Sequence, residues 1–90
     1  MIDEPLRNYN EKRRSSLDII ARILNVIGKG GKKKTHIMYE ANLNWRQLNA
    51  YLSLLVARGF ITQDDENAYR ITEKGERFLS SYKALKNILK

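Results

Sequence analysis

The 90-residue sequence has no cysteine, one proline and one histidine. The lack of cysteine excludes disulfides and thiolate chemistry, and a single histidine has no second histidine or cysteine with which to hold a metal ion. No apolar run approaches the ~18 residues of a membrane-spanning helix. Residues 1–14 also lack the apolar stretch of a secretory signal. We therefore expect a cytoplasmic protein that uses no membrane, metal or cofactor.

Positive charge is in excess, with 17 Lys and Arg residues against 10 Asp and Glu residues and a net charge of +7. A balance of this kind favours an anionic partner. Residues 15–34 and 72–90 hold most of the excess, whereas residues 60–71 are net negative. The charge is therefore expected on one loop and on the C-terminal helix.

Apolar residues recur at helical spacing over residues 17–27 and predict a first helix. We expect this helix to begin with Ser15 as its N-cap and to end at Gly28. Residues 1–14 are predicted to form a loosely ordered N-terminal arm. The segment 28–34, with three glycines and four lysines, is predicted to be a mobile basic loop.

The most informative pattern spans residues 35–60, where a short helix, a tight turn and a longer helix follow one another. Thr35 is expected to cap the short helix, and Asn42 suits the left-handed position in the turn. Asn44 and Gln47 have the spacing of a capping box, and Gly59 ends the longer helix. This is the pattern of a helix-turn-helix, whose second helix can enter a DNA major groove. The apolar side of that helix, expected in the core, comprises Trp45, Leu48, Tyr51, Leu52, Leu55 and Val56.

Two short strands are predicted at residues 60–63 and 68–71, with an acidic turn between them. A hairpin directly after a recognition helix is the wing of a winged helix. Thr72 is expected to cap a last helix, in which Gly75 indicates a close backbone contact. The predicted fold is mainly α with a small β-hairpin: a winged helix-turn-helix domain over residues 15–72 and an extended C-terminal dimerisation helix over residues 73–90.

Polar side chains on the exposed side of the third helix are candidates for reading DNA bases. Arginine pairs with guanine in the major groove, and glutamine or asparagine pairs with adenine. The predicted base-reading residues are Arg46, Gln47, Asn49 and Ser53. The alternative is an ordinary solvated helix face.

A second set of residues is predicted to contact DNA phosphates, because the lysines of the basic loop flank the helix-turn-helix. The loop does not match the spacing of a nucleotide-binding loop. The alternative is a charge run that is only solvated. The predicted phosphate contacts are Lys29, Lys32, Lys33, Lys34, Thr35, His36, Asn44 and Arg70.

The last helix carries an apolar stripe at the spacing of a short coiled-coil seam. A domain this small cannot cover the whole stripe, so we predict a homodimer through it. The alternative is a helix folded back on Leu6 and Tyr9 of the N-terminal arm. The predicted interface comprises Phe78, Tyr82, Leu85, Ile88 and Leu89.

Three stretches over residues 16–82 resemble the small archaeal winged-helix DNA-binding proteins, which include dimeric chromatin-type proteins. They are SLDIIARIL, GGKKKTHIMYEANLNWRQLNAYLSLLVARGFI and YRITEKGERFL. The resemblance implies two winged heads on duplex DNA, joined by paired C-terminal helices, with residues 44–58 as the recognition helix. The sequence departs from the chromatin-type pattern in its shorter C-terminal helix and in the acidic residues 64–66, which would repel phosphate.

We interpret the chain as a homodimeric double-stranded DNA-binding protein associated with the nucleoid, either a transcription regulator or an architectural protein. We favour the regulator, because the third helix offers several base-reading side chains. The alternative is a winged-helix module that binds protein rather than DNA, which the acidic turn and the apolar tail would suit. Enzyme activity and a small-molecule substrate are not expected, since the sequence shows no nucleophile–base pair, metal cluster or phosphate loop.

Overall fold

The computed structural model describes the backbone of residues 4–89 and the side chains of residues 16–89. The elements, in chain order, are α1 (Glu4–Ile27), β1 (Lys32–Lys33), α2 (Lys34–Ala41), α3 (Trp45–Ala57), β2 (Ile61–Gln63), β3 (Ala68–Ile71) and α4 (Glu73–Leu89). The strands form one antiparallel sheet in the order β1-β3-β2. This arrangement confirms the predicted winged helix-turn-helix fold. None of the described helices is both long and apolar enough to cross a bilayer.

One apolar core joins the helices to the sheet. Full burial of each large aliphatic side chain contributes about 1.5–3 kcal/mol. The fully buried aliphatic side chains lie at the helical spacings that the sequence predicted for α1, α2 and α3. The buried core residues are Ile23, Leu24, Ile27, Ile37, Ala41, Leu48, Leu52, Leu55, Ile61 and Tyr69.

Two residues that were predicted to lie in the core are exposed instead. Trp45 is 50% exposed and Val56 is 44% exposed, so both predictions were wrong. The helical wheel gave the direction of each side chain but not the depth of the core. Trp45 is the first residue of α3, one turn before the buried Leu48, and at that point the helix has already reached the surface.

The first helix is longer than predicted. It begins at Glu4 rather than at Ser15, so the backbone of residues 4–14 belongs to α1 and not to a separate arm. Pro5 is compatible with this start, because proline is tolerated in the first turn of a helix. The proposed fold-back of α4 on Leu6 and Tyr9 concerns side chains outside the described ones.

The basic loop is partly a strand. Lys32 pairs with Tyr69 and Lys33 pairs with Ala68, which adds β1 to the predicted hairpin as a third strand. The N-cap of α2 is Lys33, without a side-chain hydrogen bond, so the prediction of Thr35 as the cap was wrong. The usual sequence signal for a strand is an alternation of apolar and polar residues. Lys32 and Lys33 show no such alternation, so the sequence did not predict β1.

The turn and the caps of the helix-turn-helix confirm the predicted local chemistry. Asn42 adopts a left-handed conformation at φ 57°. The Asn44 side chain accepts a hydrogen bond from the Gln47 backbone at 2.8 Å, and the Gln47 side chain accepts one from the Asn44 backbone at 3.2 Å. At the other end of α3, the Phe60 N–H donates to the Leu55 carbonyl at 2.9 Å, which is the hydrogen bond of a Schellman ending. These hydrogen bonds fix both ends of α3.

The start of α4 packs directly on the end of α3. The Thr72 hydroxyl accepts a hydrogen bond from the Gly75 N–H at 3.0 Å, which confirms Thr72 as the cap. The Lys74 ammonium donates to the Arg58 carbonyl at 2.7 Å, and the rings of Phe60 and Phe78 lie 5.3 Å apart. Gly75 is buried against the Phe60 carbonyl, as the predicted close contact requires.

Farther along, α4 runs antiparallel to α1. The Lys83 ammonium donates a hydrogen bond to the Asn25 side-chain oxygen at 3.4 Å, and the Lys86 ammonium forms an ion pair with the Asp18 carboxylate at 3.8 Å. Tyr82 also donates a hydrogen bond to Asp18. Phe78 and Tyr82, two of the five predicted dimer residues, therefore contact the chain's own domain. The other three remain exposed: Leu85 at 52%, Ile88 at 77% and Leu89 at 72%.

Candidate nucleic-acid interface

Three of the four predicted base-reading residues lie on one face of α3. Arg46, Asn49 and Ser53 are spaced at adjacent turns of the helix, whereas Gln47 lies about 100° around the helix from Arg46. Arg46 and Ser53 are exposed, and Asn49 is half-buried. The small side chain of Ala50 is exposed between them. The face is therefore polar, with one guanidinium near the start of the helix.

The Gln47 side chain takes part in the capping box at the start of α3. Its side-chain oxygen accepts from the Asn44 backbone, which leaves its amide NH₂ group as a donor. A bidentate pair with adenine needs an acceptor and a donor from the same amide. Gln47 could therefore make that pair only by opening the capping box. The Asn44 side-chain oxygen is occupied in the same way, by the Gln47 N–H.

A groove separates α3 from the sheet. Lys34, Asn49 and Ser53 line one part of it, and Gln63 of β2 and Tyr69 of β3 line another. Asn49 is thus placed between the exposed face of α3 and the groove. Asn49 and Ser53 present amide and hydroxyl groups that can both donate and accept hydrogen bonds.

Strand β1 sends its two lysines to opposite faces of the sheet, because successive side chains of a strand alternate. Lys32 shares the face of its partner Tyr69, which is buried on the core side. Lys33 shares the outer face with Arg70. Of the phosphate candidates around β1, Lys29, Thr35 and His36 are exposed. Lys32 and Lys33 therefore lie on opposite faces of the sheet rather than on one loop surface.

The acidic turn of the wing is more structured than the sequence predicted. Asp64 accepts backbone hydrogen bonds from Glu66 at 2.9 Å and Ala68 at 3.0 Å, and it pairs with the Arg70 guanidinium at 3.0 Å. The Ala68 N–H, followed by Arg70 and the Glu66 N–H, lowers the pKa of Asp64 below its ordinary value. Asp64 is therefore a structural residue of the turn, which its acidic composition alone did not indicate. Its charge is matched by Arg70, and Asp65 and Glu66 are the acidic side chains left exposed.

Arg70 is held by its Nε atom and is still half-exposed, with 52% of its side chain accessible. Because the ion pair uses Nε, the terminal nitrogens of the guanidinium are available for a phosphate. Arg70 thus presents free N–H donors on the outer face of the wing. Its direction is fixed by Asp64.

Trp45 is a surface residue that the sequence analysis had placed in the core. The Lys34 ammonium lies 5.1 Å from the centre of its ring, within the range of a cation–π interaction. The sequence signal for an exposed Trp45 was its position directly after the N-cap Asn44, ahead of the first core residue of α3. Its place on the apolar side of the helical wheel predicted burial instead. Among residues 16–89, no group of three or more His, Cys, Asp or Glu side chains is arranged to hold a metal ion.

Comparison with known proteins gives consistent results. A profile described as winged helix-turn-helix matches residues 13–90 of the chain. An uncharacterised protein of Methanocaldococcus jannaschii is 37% identical over 92 residues, which cover 98% of this chain and 94% of the relative.

Two solved structures are similar to the chain. Sso10a-2, a DNA-binding protein from Sulfolobus solfataricus, superposes with a TM-score of 0.69 at 27% identity, over 80% of this chain and 78% of that one. The O-methyltransferase NcsB1 of neocarzinostatin biosynthesis superposes with a TM-score of 0.57 at 30% identity, over 67% of this chain but 20% of the enzyme. The likeness to that enzyme is therefore confined to a minor part of it.

Proposed function

The chain belongs to the winged helix-turn-helix family, and from this premise we propose that it binds double-stranded DNA as a homodimer with α3 in the major groove. The observation that carries the proposal is the exposed polar face of α3, which carries the Arg46 guanidinium and adjoins the groove lined by Lys34. The similarity to Sso10a-2, a DNA-binding protein, supports it. The net charge of +7 supplies the attraction to phosphate.

The residues take different roles in this proposal. Arg46 is the residue best placed to read a base, because its guanidinium is exposed and guanine offers it two acceptors. Asn49 and Ser53 follow on the same face, while Gln47 contributes only its amide NH₂ group, as a donor, as long as the capping box holds. The residues assigned to the phosphates are Lys29, Lys32, Lys33, Lys34, Thr35, His36, Asn44 and Arg70.

The proposal is tested by titrating the protein onto a labelled random-sequence duplex and following fluorescence anisotropy across a salt series. We expect log affinity to fall linearly with log salt, by about 0.9 units for each phosphate neutralised. A slope of several units is the expected result, since the charge lies on several patches. If the protein did not bind the duplex even at low salt, the proposal would be wrong.

Replacing Arg46 with alanine tests base reading. On the duplex that the protein enriches from a random pool, we expect a loss of about 5–150-fold, the range of one good bidentate contact. On random duplex the loss should be much smaller. Arg58→Ala is the matched control, because it removes the same charge from the far end of α3, where the residue is also exposed. Equal losses on both duplexes for Arg46→Ala would contradict the base-reading role.

The same titrations separate a regulator from an architectural protein. A regulator is expected to prefer its site by roughly 10³-fold or more over random DNA. We favour the regulator, because α3 presents base-reading groups and not only positive charge. A ratio close to one would assign the protein to the architectural class.

A second candidate function is docking to another protein. It is favoured by the exposed apolar side chains at the end of α4, which no described part of the chain covers. We assign these side chains first to the partner copy in the homodimer. An intact dimer that does not bind DNA would favour the docking function instead.

A further inference from the structure

The side chain of Trp45 lies largely outside the core of the domain. It is the only tryptophan of the sequence, and half of its surface is accessible at the first residue of α3. The first buried residue of α3 is Leu48, one turn later. A large aromatic side chain that adds little to the core, on a face proposed to meet a partner, is the kind of residue that dominates binding interfaces.

The surroundings of Trp45 are cationic. Lys34, the first residue of α2, holds its ammonium 5.1 Å from the ring centre, and Arg46 follows Trp45 in the chain with an exposed side chain. Lys34 also lines the groove that contains Asn49 and Ser53. An apolar ring with an N–H donor is therefore combined with positive charge at the edge of the recognition face.

Deoxyribose-phosphate has the chemistry that complements this pair. The sugar offers an apolar surface to the ring, and the phosphate offers oxygen acceptors to the indole N–H and to the ammonium. Stacking on a base would instead require that base to leave the duplex, which costs a few kcal/mol. The duplex backbone is therefore the better match.

We propose that Trp45 and Lys34 together form a contact for the sugar-phosphate backbone of duplex DNA. The proposal rests on the proposed function and deepens it. Trp45 packs on a deoxyribose and donates its indole N–H to a phosphate, while Lys34 binds the phosphate next to it. Such a contact positions α3 but reads no sequence.

The first test uses the unmodified protein, because Trp45 is its only tryptophan. Tryptophan emission is recorded while random-sequence duplex is added, and anisotropy of a labelled duplex reports binding separately. We expect the emission to change in proportion to binding. If the duplex binds and the emission stays constant, the contact is refuted and the proposed function still stands. If no DNA binds, both fail.

The second test compares variants. Trp45→Ala is expected to weaken binding by about tenfold on enriched and random duplexes alike, the scale of one hydrogen bond to a charged group. The affinity of Trp45→Phe should lie between those of the unmodified protein and Trp45→Ala, since phenylalanine keeps a ring and loses the N–H. Tyr39→Ala is the matched control, because Tyr39 is a 76% exposed aromatic residue of α2. It should bind like the unmodified protein.

Other outcomes of the variant test are equally decisive. A loss confined to the enriched duplex would assign Trp45 to base reading and overturn the backbone contact. Tighter binding of single-stranded DNA with a larger emission change would assign it to base stacking.

Lys34→Gln should reduce the salt slope by about one unit. Thermal melts followed by circular dichroism show that each variant is folded, which the exposure of Trp45 favours.

Discussion

Replacing Gly75 with alanine is expected to lower the free energy of unfolding by about 1–2 kcal/mol, because overpacking a tight contact costs up to about 3 kcal/mol and the helix propensity of alanine offsets part of that cost. An added Cβ would collide with the carbonyl oxygen of Phe60 and lie 2.8 Å from Cγ1 of Ile71. The backbone carbonyl cannot turn aside as a flexible side chain could. Alanine favours helix by about 1 kcal/mol over glycine, which offsets only part of the collision. Urea denaturation followed by circular dichroism measures the change.

Gly30→Ala provides the control for this substitution. The nearest atom to a Cβ at Gly30 is the flexible end of Lys32, at 3.8 Å, and its backbone does not require glycine. We expect its unfolding midpoint to stay near that of the unmodified protein. If Gly75→Ala were as stable as Gly30→Ala, the packing of α4 on the end of α3 described above would be wrong.

Replacing Leu85, Ile88 and Leu89 together with serine is expected to convert the proposed dimer to monomers. These side chains are 52%, 77% and 72% exposed in the single chain, so their loss should leave the fold intact. Two linked heads raise the effective concentration for the second binding event, which increases avidity by about 10²–10⁴-fold. We therefore expect DNA affinity to fall by roughly 100-fold. Sedimentation velocity measures the oligomeric state, and anisotropy measures the affinity.

Asn87→Ser is the control on the same helix. Asn87 is exposed and lies on the side of α4 opposite the stripe, so a serine there should change neither sedimentation nor DNA affinity. A triple variant that still sediments as a dimer would place the interface elsewhere. A monomeric unmodified protein at micromolar concentration would remove the dimer from the proposal.

The sequence predicted those features that depend on residues close together in the chain. The capping box of Asn44 and Gln47, the left-handed Asn42 and the cap at Thr72 each involve residues within a few positions of one another. Their chemistry is independent of the rest of the fold. The apolar spacing of α1 and α3 likewise identified the buried face of each helix.

Several of the features that were missed depend on residues of other elements. Lys32 is in a strand only because Tyr69 is beside it, and Asp64 is ordered by Arg70 from the opposite strand. The exposure of Trp45 depends on where the core begins along α3, and the first buried residue of that helix is Leu48. None of these can be read from the local pattern. Two of them lie at the candidate interface, where the sequence identified the helix but not all of its contact residues.

The junction between α3 and α4 has a consequence for the placement of the two heads. Lys74 binds the Arg58 carbonyl, Phe78 packs on Phe60, and Gly75 lies directly against the Phe60 carbonyl. These contacts connect the start of α4 to the residues that follow α3. In a dimer joined through α4, a small change in the angle between the paired helices would rotate both recognition helices and alter their spacing. The angle at which the paired α4 helices cross would thus set how the two heads are presented to DNA.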